Sequence, residues 1–181
     1  MKSIYLIRHC SASGQEPDAE LTGEGSQQAE RLAEFLSQEN IERIISSPFT
    51  RAVQSIEPLR SQQGIELTLD MRLTERILSK QPLEDWLEKL EASFSNMDQV
   101  VGEGESSQIA QNRIVEVLED LLRGPEQRVA LVSHGNLLSL LLNYVDPRFG
   151  FREWQSLSNP DVYLITSDED GSLTMTRLWK S

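Results

Sequence analysis

Cysteine occurs once and histidine twice in these 181 residues. Cys10 standing alone excludes an internal disulfide and a zinc cluster built on paired cysteines. Basic side chains are also in deficit, with 17 Lys and Arg against 29 Asp and Glu and a formal net charge of −12. A surface of that sign repels nucleic-acid backbone and anionic lipid, so neither is an expected partner. Long apolar runs are missing too. The longest, Leu137 to Val145, is broken by Ser139 and Asn143 and falls short of the roughly 20 residues of a membrane span. The opening MKSIYLIRH carries no signal-peptide pattern, because its short apolar run meets Arg8. The expectation is a cytoplasmic chain whose 38 % hydrophobic residues suffice for one core. At roughly 150 residues per domain, its length fits one domain over residues 1–181.

What the chain does contain is an alternation of short apolar runs and longer amphipathic segments. Ser3 to Ile7 predicts a strand buried on both faces. After a polar loop over residues 9–21, Thr22 predicts the N-cap of a helix reaching about Glu39, with Ala29, Leu32, Ala33, Phe35 and Leu36 as its buried stripe. Ile44-Ile45 predicts a second strand ending at Ser46-Ser47. Pro48 suits the first turn of the next helix, lined by Val53, Ile56 and Leu59 and irregular at Pro58. Ile65, Leu67 and Leu69 alternate as a third strand. Residues 70–104 read as a cap-like insertion able to cover a site, with a helical piece over Pro82–Leu90 and a loop from Asn96. Ser107 to Arg123 predicts an amphipathic helix with Ile109, Ile114, Val117, Leu118, Leu121 and Leu122 on its apolar face. Arg128 to Val132 predicts a buried strand, Gly135 to Val145 an apolar helix, and Val162–Ser167 with Leu173–Leu178 a hairpin turned at Asp170-Gly171. The whole predicts an α/β/α three-layer sandwich, its sheet mostly parallel with an antiparallel edge hairpin.

Both histidines directly follow buried-type strands, IYLIR before His9 and VALVS before His134. Ligands of open α/β sheets sit beyond the carboxyl ends of the strands, so the two imidazoles share a crevice if their strands are parallel neighbours. Ser46 to Arg51 repeats the arrangement of strand end, turn and helix start. A cation such as Arg51 in a first helical turn is unfavourable for the isolated helix, and an anionic ligand reverses that sign. Arg8 and Arg51 beside two histidines make a cationic spot on an anionic protein, suited to a small, highly charged anion. Either arginine alone reads equally as a solvated surface residue.

Six ordered signatures sharpen this: Arg8-His9; Leu21-Thr22-x-x-Gly25-x-x-Gln28-Ala29; Ser46-Ser47-x-x-x-Arg51-Ala52-x-Gln54-Ser55; Asp70-x-Arg72-Leu73-x-Glu75; Gly104-Glu105-Ser106; and Val132-Ser133-His134-Gly135. In that order the chain resembles the histidine phosphatase superfamily, the phosphoglycerate-mutase-like enzymes. The resemblance implies His9 as a nucleophile that becomes phosphohistidine, Arg8, Arg51 and His134 as the phosphate pocket, and Glu75 as proton donor to the leaving oxygen. It implies no cofactor and no metal, and a small phosphorylated metabolite as substrate. The chain departs from the family in three places. Cys10 stands where glycine is usual, read as a small packing residue rather than a reactive thiol. Ala12 and Gln15 replace the usual polar donors, and Gln15 alone keeps the ability to donate to phosphate. A glycine usual beyond Glu75 is absent from Ile77 to Gln81.

The expected activity is a metal-independent phosphomonoesterase. A phosphoglycerate mutase and a non-catalytic phosphate-binding regulatory module stand as alternatives, and the oligomeric state is open. Trp86, Leu87, Leu90 and Phe94 share a helical face suited to core packing or a lid. Tyr144, Phe149, Phe151 and Trp154 border either a substrate pocket or a contact between copies.

Overall fold

The computed structural model describes residues 1–168 and 170–179. Six strands form one sheet in the order β3-β2-β4-β1-β5-β6, with β1 at Lys2–Arg8, β2 at Arg43–Ser46, β3 at Glu66–Leu69, β4 at Arg128–Ser133, β5 at Asp161–Ser167 and β6 at Leu173–Arg177. β1, β2, β3 and β4 run parallel, whereas β5 pairs antiparallel with β1 and with β6. The alternation of side chains along each central strand feeds two cores. Ile4, Leu6, Ile45, Val129 and Leu131 pack on one face with helices α4 (Ser107–Arg123) and α5 (Gly135–Val145). Tyr5, Ile7, Ile44, Ala130 and Val132 pack on the other with α1 (Gly23–Leu36) and α2 (Thr50–Gln63). Both faces are covered, which is why these strands read as unbroken apolar runs. The architecture is the expected three-layer α/β/α sandwich.

The local signals act through short-range geometry. Thr22 caps α1 by accepting from the Gly25 N–H (3.0 Å), and Ser106 caps α4 by accepting from Ile109 (3.2 Å). Gly64, in the left-handed region (φ 66°), closes α2 after Pro58 has been accommodated within it. Pro48 precedes α2 instead of opening it, and α1 stops at Leu36, three residues before Glu39. Two expected core residues are exposed. Ile109 (57 %) sits just ahead of Ala110 and points about 100° away from it. Phe35 (39 %) lies at the margin of the α1 stripe, its ring against Trp179 at 5.1 Å.

Residues 70–104 contain a 3₁₀ turn (Met71–Leu73), an irregular stretch and α3 (Trp86–Ser95), displaced by several residues from the expected Pro82–Leu90. No periodicity announces α6 (Phe151–Gln155), because five residues are too few for a helical period to show. At the hairpin, Gly171 has φ 84° and donates to the Asp168 carbonyl (3.0 Å). No helix is long and apolar enough to cross a membrane among the described residues.

Candidate active site

β1 and β4 are hydrogen-bonded parallel neighbours in a register that pairs Arg8 with Ser133. His9 and His134 therefore leave the sheet side by side, their rings edge to face at 5.1 Å. Topology alone brings together two residues 125 positions apart (134 minus 9).

The arrangement around His9 fixes its tautomer. Nδ1 lies 2.7 Å from the Cys10 carbonyl, an acceptor only, so this nitrogen carries the proton. Nε2 then holds the lone pair, and it accepts from Arg51 Nε at 3.2 Å. Burial, reinforced by the Arg51 and Arg8 charges against the opposing Cys10 carbonyl, pushes the imidazole down to about 4, so it is neutral at pH 7. Arg51 is fully buried. Its Nη1 donates to the carbonyls of Gln15 (3.2 Å) and Glu16 (2.8 Å), and its guanidinium lies 5.1 Å from the Phe49 ring centroid.

His134 is also fully buried and is pushed down to about 2, chiefly by burial and then by His9 and Arg51. Its Nε2 meets Ser47 Oγ at 2.8 Å while its Nδ1 has no partner. Ser47 Oγ accepts from the Phe49 N–H (3.3 Å). When the hydroxyl donates its own proton to Nε2, His134 presents an unsatisfied Nδ1–H.

Arg8 donates from Nη1 to the carbonyls of Leu157 (3.1 Å) and Ser158 (3.3 Å), and its buried Nε has no partner. The guanidinium lies against Gly135, where an added Cβ would stand 2.9 Å from Nε and 3.0 Å from Cζ. Glycine after His134 is thus needed for the arginine to pass. Glu75 reaches the same place from the end of the 3₁₀ segment. Its Oε1 accepts from the N–H groups of Arg76 (2.8 Å) and Leu137 (2.9 Å), and Oε2 from Asn136 (3.0 Å), at the start of α5.

The remaining signature residues hold the loop that carries His9. Ser55 Oγ accepts from Cys10 N (2.8 Å), Gln28 Oε1 from Ser11 N (2.8 Å) and Gln54 Oε1 from Leu21 N (2.8 Å). A Cβ at Gly25 would lie 2.0 Å from the Ser11 carbonyl oxygen, so only glycine lets α1 approach this closely. Ser133 Oγ donates to the Leu73 carbonyl (2.7 Å), tying β4 to the segment before Glu75. The Glu105–Arg113 pair (2.7 Å) fastens the segment that follows residues 70–104 to α4. Cys10 is fully buried with its thiol raised to about 11, chiefly by burial, which fits packing and not nucleophilic reactivity.

A cavity of about 210 Å³ opens onto Arg8, His9, Gln15, Glu75 and Asn159. A larger one of about 510 Å³ continues from it past Arg8, Gln15 and Glu75 toward Arg76, Trp86 and Trp154. Ser47, a signature residue with no role implied for it, is the partner of His134 Nε2, and Asn159 and Arg76 join the site with no sequence signal. Asn159 Nδ2 donates to the His9 carbonyl (2.7 Å) from the segment before β5, and nothing in the local sequence signals that. Among the described residues no group of three or more His, Cys, Asp or Glu side chains converges as a metal-ligand set.

Residues 4–178 match the family model of the histidine phosphatase superfamily (branch 1). The chain belongs to that superfamily. It is 30 % identical over 161 residues to a protein named probable phosphoglycerate mutase GpmB from Enterobacter sp. (strain 638), covering 80 % of this chain and 75 % of that one. Among solved structures, Bacillus stearothermophilus YhfR superposes with a TM-score of 0.80 at 23 % identity, covering 98 % and 96 % of the two chains. The mycobacterial glucosyl-3-phosphoglycerate phosphatase in complex with inorganic phosphate gives 0.78 at 22 % identity, covering 100 % and 98 %. At those identities the superpositions speak for the fold this superfamily member shares with them.

Proposed function

We propose that this superfamily member is a phosphomonoesterase working through a phosphohistidine at His9. The observation that carries the reading is the state of the His9 Nε2: a neutral, oriented lone pair held by the buried Arg51 guanidinium, on a ring that with Arg8 lines a cavity large enough for a phosphoryl group. A phosphoester dianion takes the Arg51 Nε–H that rests on Nε2, together with the unpartnered Arg8 Nε–H and His134 Nδ1–H. These donors neutralise the equatorial oxygens, where phosphoryl transfer concentrates its charge. Nε2 attacks phosphorus in line, and the N–P bond forms as the ester P–O bond breaks. The departing alkoxide takes a proton from the protonated form of Glu75, on the wall shared by both cavities, and the carboxylate left behind is the form that accepts the Arg76, Asn136 and Leu137 N–H groups. The phosphoimidazolium keeps its Nδ1–H on the Cys10 carbonyl. Glu75, now a carboxylate, takes a proton from water as the water oxygen attacks phosphorus. The N–P bond breaks, releasing orthophosphate and restoring His9.

In this reading Gln15 adds a side-chain donor at the rim, residues 70–104 act as a cap over the leaving group, and the arginines do the work a metal does elsewhere, so chelators leave activity unchanged. Acid-labile, base-stable phosphate on the protein, trapped by alkaline quench during turnover of p-nitrophenyl phosphate and absent from His9→Ala, tests it. A His9→Ala variant with full activity overturns it.

The name of the 30 %-identical relative favours a second reading, a phosphoglycerate mutase that returns the phosphoryl group to a second hydroxyl. With 3-phosphoglycerate and its bisphosphate primer, release of orthophosphate supports the hydrolase and formation of 2-phosphoglycerate supports the mutase. A non-catalytic phosphate-binding module would bind orthophosphate yet turn over nothing from pH 4 to 8.

A further inference from the structure

The 210 Å³ pocket receives the phosphoryl group, and the adjoining 510 Å³ cavity receives what the phosphate is attached to. That second volume lies in the range of sites for drug-sized ligands, and a three-carbon acid leaves most of it empty. Its outer wall is aromatic. Trp86, at the start of α3 and 50 % exposed, meets Trp154 of α6 edge to face (6.4 Å, 83°). Trp154 stacks on Phe151 (5.4 Å, 23°), which meets Phe94 of α3 (6.3 Å). This ladder braces the insertion against α6 and leaves indole surface facing the cavity without a partner.

Arg76 lines the same cavity at 5 % exposure. Its Nε donates to the Glu105 carbonyl (3.0 Å) and its Nη1 to Ser93 Oγ (2.9 Å), both neutral acceptors, while Nη2 has no partner. Among the described residues it forms no direct ion pair, Glu105 and Glu75 acting on it only through space, and a buried guanidinium with an unpartnered N–H is costly unless a ligand supplies an acceptor. Beyond the Arg8, Gln15, Glu75 and Gly135 wall that it shares with the smaller pocket, the cavity has Arg76 as its one cationic side chain, beside Leu78, Trp86, Leu90 and Trp154. That matches a carboxylate better than a second phosphate, which needs several donors.

We propose that the substrate is a phosphomonoester whose alcohol portion carries a flat aromatic or heteroaromatic ring, packed against the Trp86 and Trp154 indoles, with a carboxylate directed to Arg76. The proposal rests on the phosphomonoesterase reading and adds the chemistry of its leaving group.

Ethyl, benzyl and 4-carboxybenzyl phosphate, alcohol esters of comparable leaving ability, test it in the wild type and in Trp86→Ala, Trp154→Ala, Arg76→Gln and Arg76→Lys. The wild type is expected to show a kcat/KM about tenfold higher on benzyl than on ethyl phosphate, and about tenfold higher again with the carboxylate. Either tryptophan variant collapses the benzyl-to-ethyl ratio of kcat/KM to within about twofold. Arg76→Gln removes only the carboxylate advantage and Arg76→Lys restores part of it. Because Arg76 also braces the insertion, the wild-type ratio between the two benzyl esters decides its role if Arg76→Gln does not fold. Wild-type protein that handles ethyl and benzyl phosphate equally through phospho-His9 overturns this proposal and leaves the phosphatase reading standing. Failure on all three esters, with no trapped phosphohistidine, overturns both.

Discussion

The two halves of the candidate site are built differently. The half around His9 is anchored in the sheet: His9 and His134 continue adjacent strands, Arg51 is fully buried at the start of α2, and side chains are tied by bonds spanning 42 residues (Arg51 to His9) and 87 residues (His134 to Ser47). The half around Trp86 and Trp154 comes mainly from residues 70–104 and α6. There Trp86, Leu87 and Ile77 remain exposed, and α3 has no side-chain cap. A rigid half supplies chemistry that needs sub-ångström placement. A loosely fastened half can change from one relative to the next without disturbing that chemistry.

The sharpest way to break the contrast is to remove the proposed nucleophile. His9→Ala is expected to lower kcat by about 10⁴-fold or more on every phosphoester, measured by orthophosphate release. His134→Ala removes one of the proposed phosphate donors and is expected to cost about 10²- to 10³-fold, again independent of the alcohol. Gly135→Ala forces the Arg8 guanidinium aside, and a displacement of that size is expected to cost up to about 10²-fold. If its losses differ strongly between alcohols, the two halves are not separable. At the small end, Trp86→Ala is expected to change turnover of ethyl phosphate by less than about twofold, although ring-bearing esters suffer.

The buried histidines carry a pH signature as well. Their folded-state values of about 4 and about 2 lie below the ordinary 6.5, so below pH 6.5 the unfolded chain binds protons that the folded chain refuses. Stability therefore falls as pH drops from 6.5 toward 4, with each histidine contributing up to about 1.4 kcal/mol per pH unit. Urea midpoints between pH 7.5 and 4.5 should show this slope for the ligand-free protein, and His9→Gln should reduce it. Since His9 stays neutral through that window, it places no acid limb on kcat/KM above about pH 4.

Much of the rigid half was legible in the sequence. The strands before His9 and His134, the Thr22 cap and the full span of α4 follow from apolar period and local hydrogen bonding. The looser half was not. α3 begins at Trp86 and not Pro82, α6 gave no signal, and Ile109 and Phe35 lie outside the buried stripes they were assigned to. Arg76 and Asn159 passed unnoticed because their significance lies in what they lack or whom they reach across the fold, which composition and spacing do not encode.

The amino-acid sequence by itself determined which side chains are available for chemistry and the alternation of buried strands and amphipathic helices. These are properties of neighbours within a few positions, and local sterics and periodic burial act at that range. Tertiary structure alone decided that β4 inserts beside β1, that Gly135 makes room for Arg8, and that Nδ1 of His134, Nε of Arg8 and Nη2 of Arg76 are left without partners. Such matters depend on which distant segments the packed core brings into contact, and on whether each buried polar group then finds a hydrogen-bonding partner.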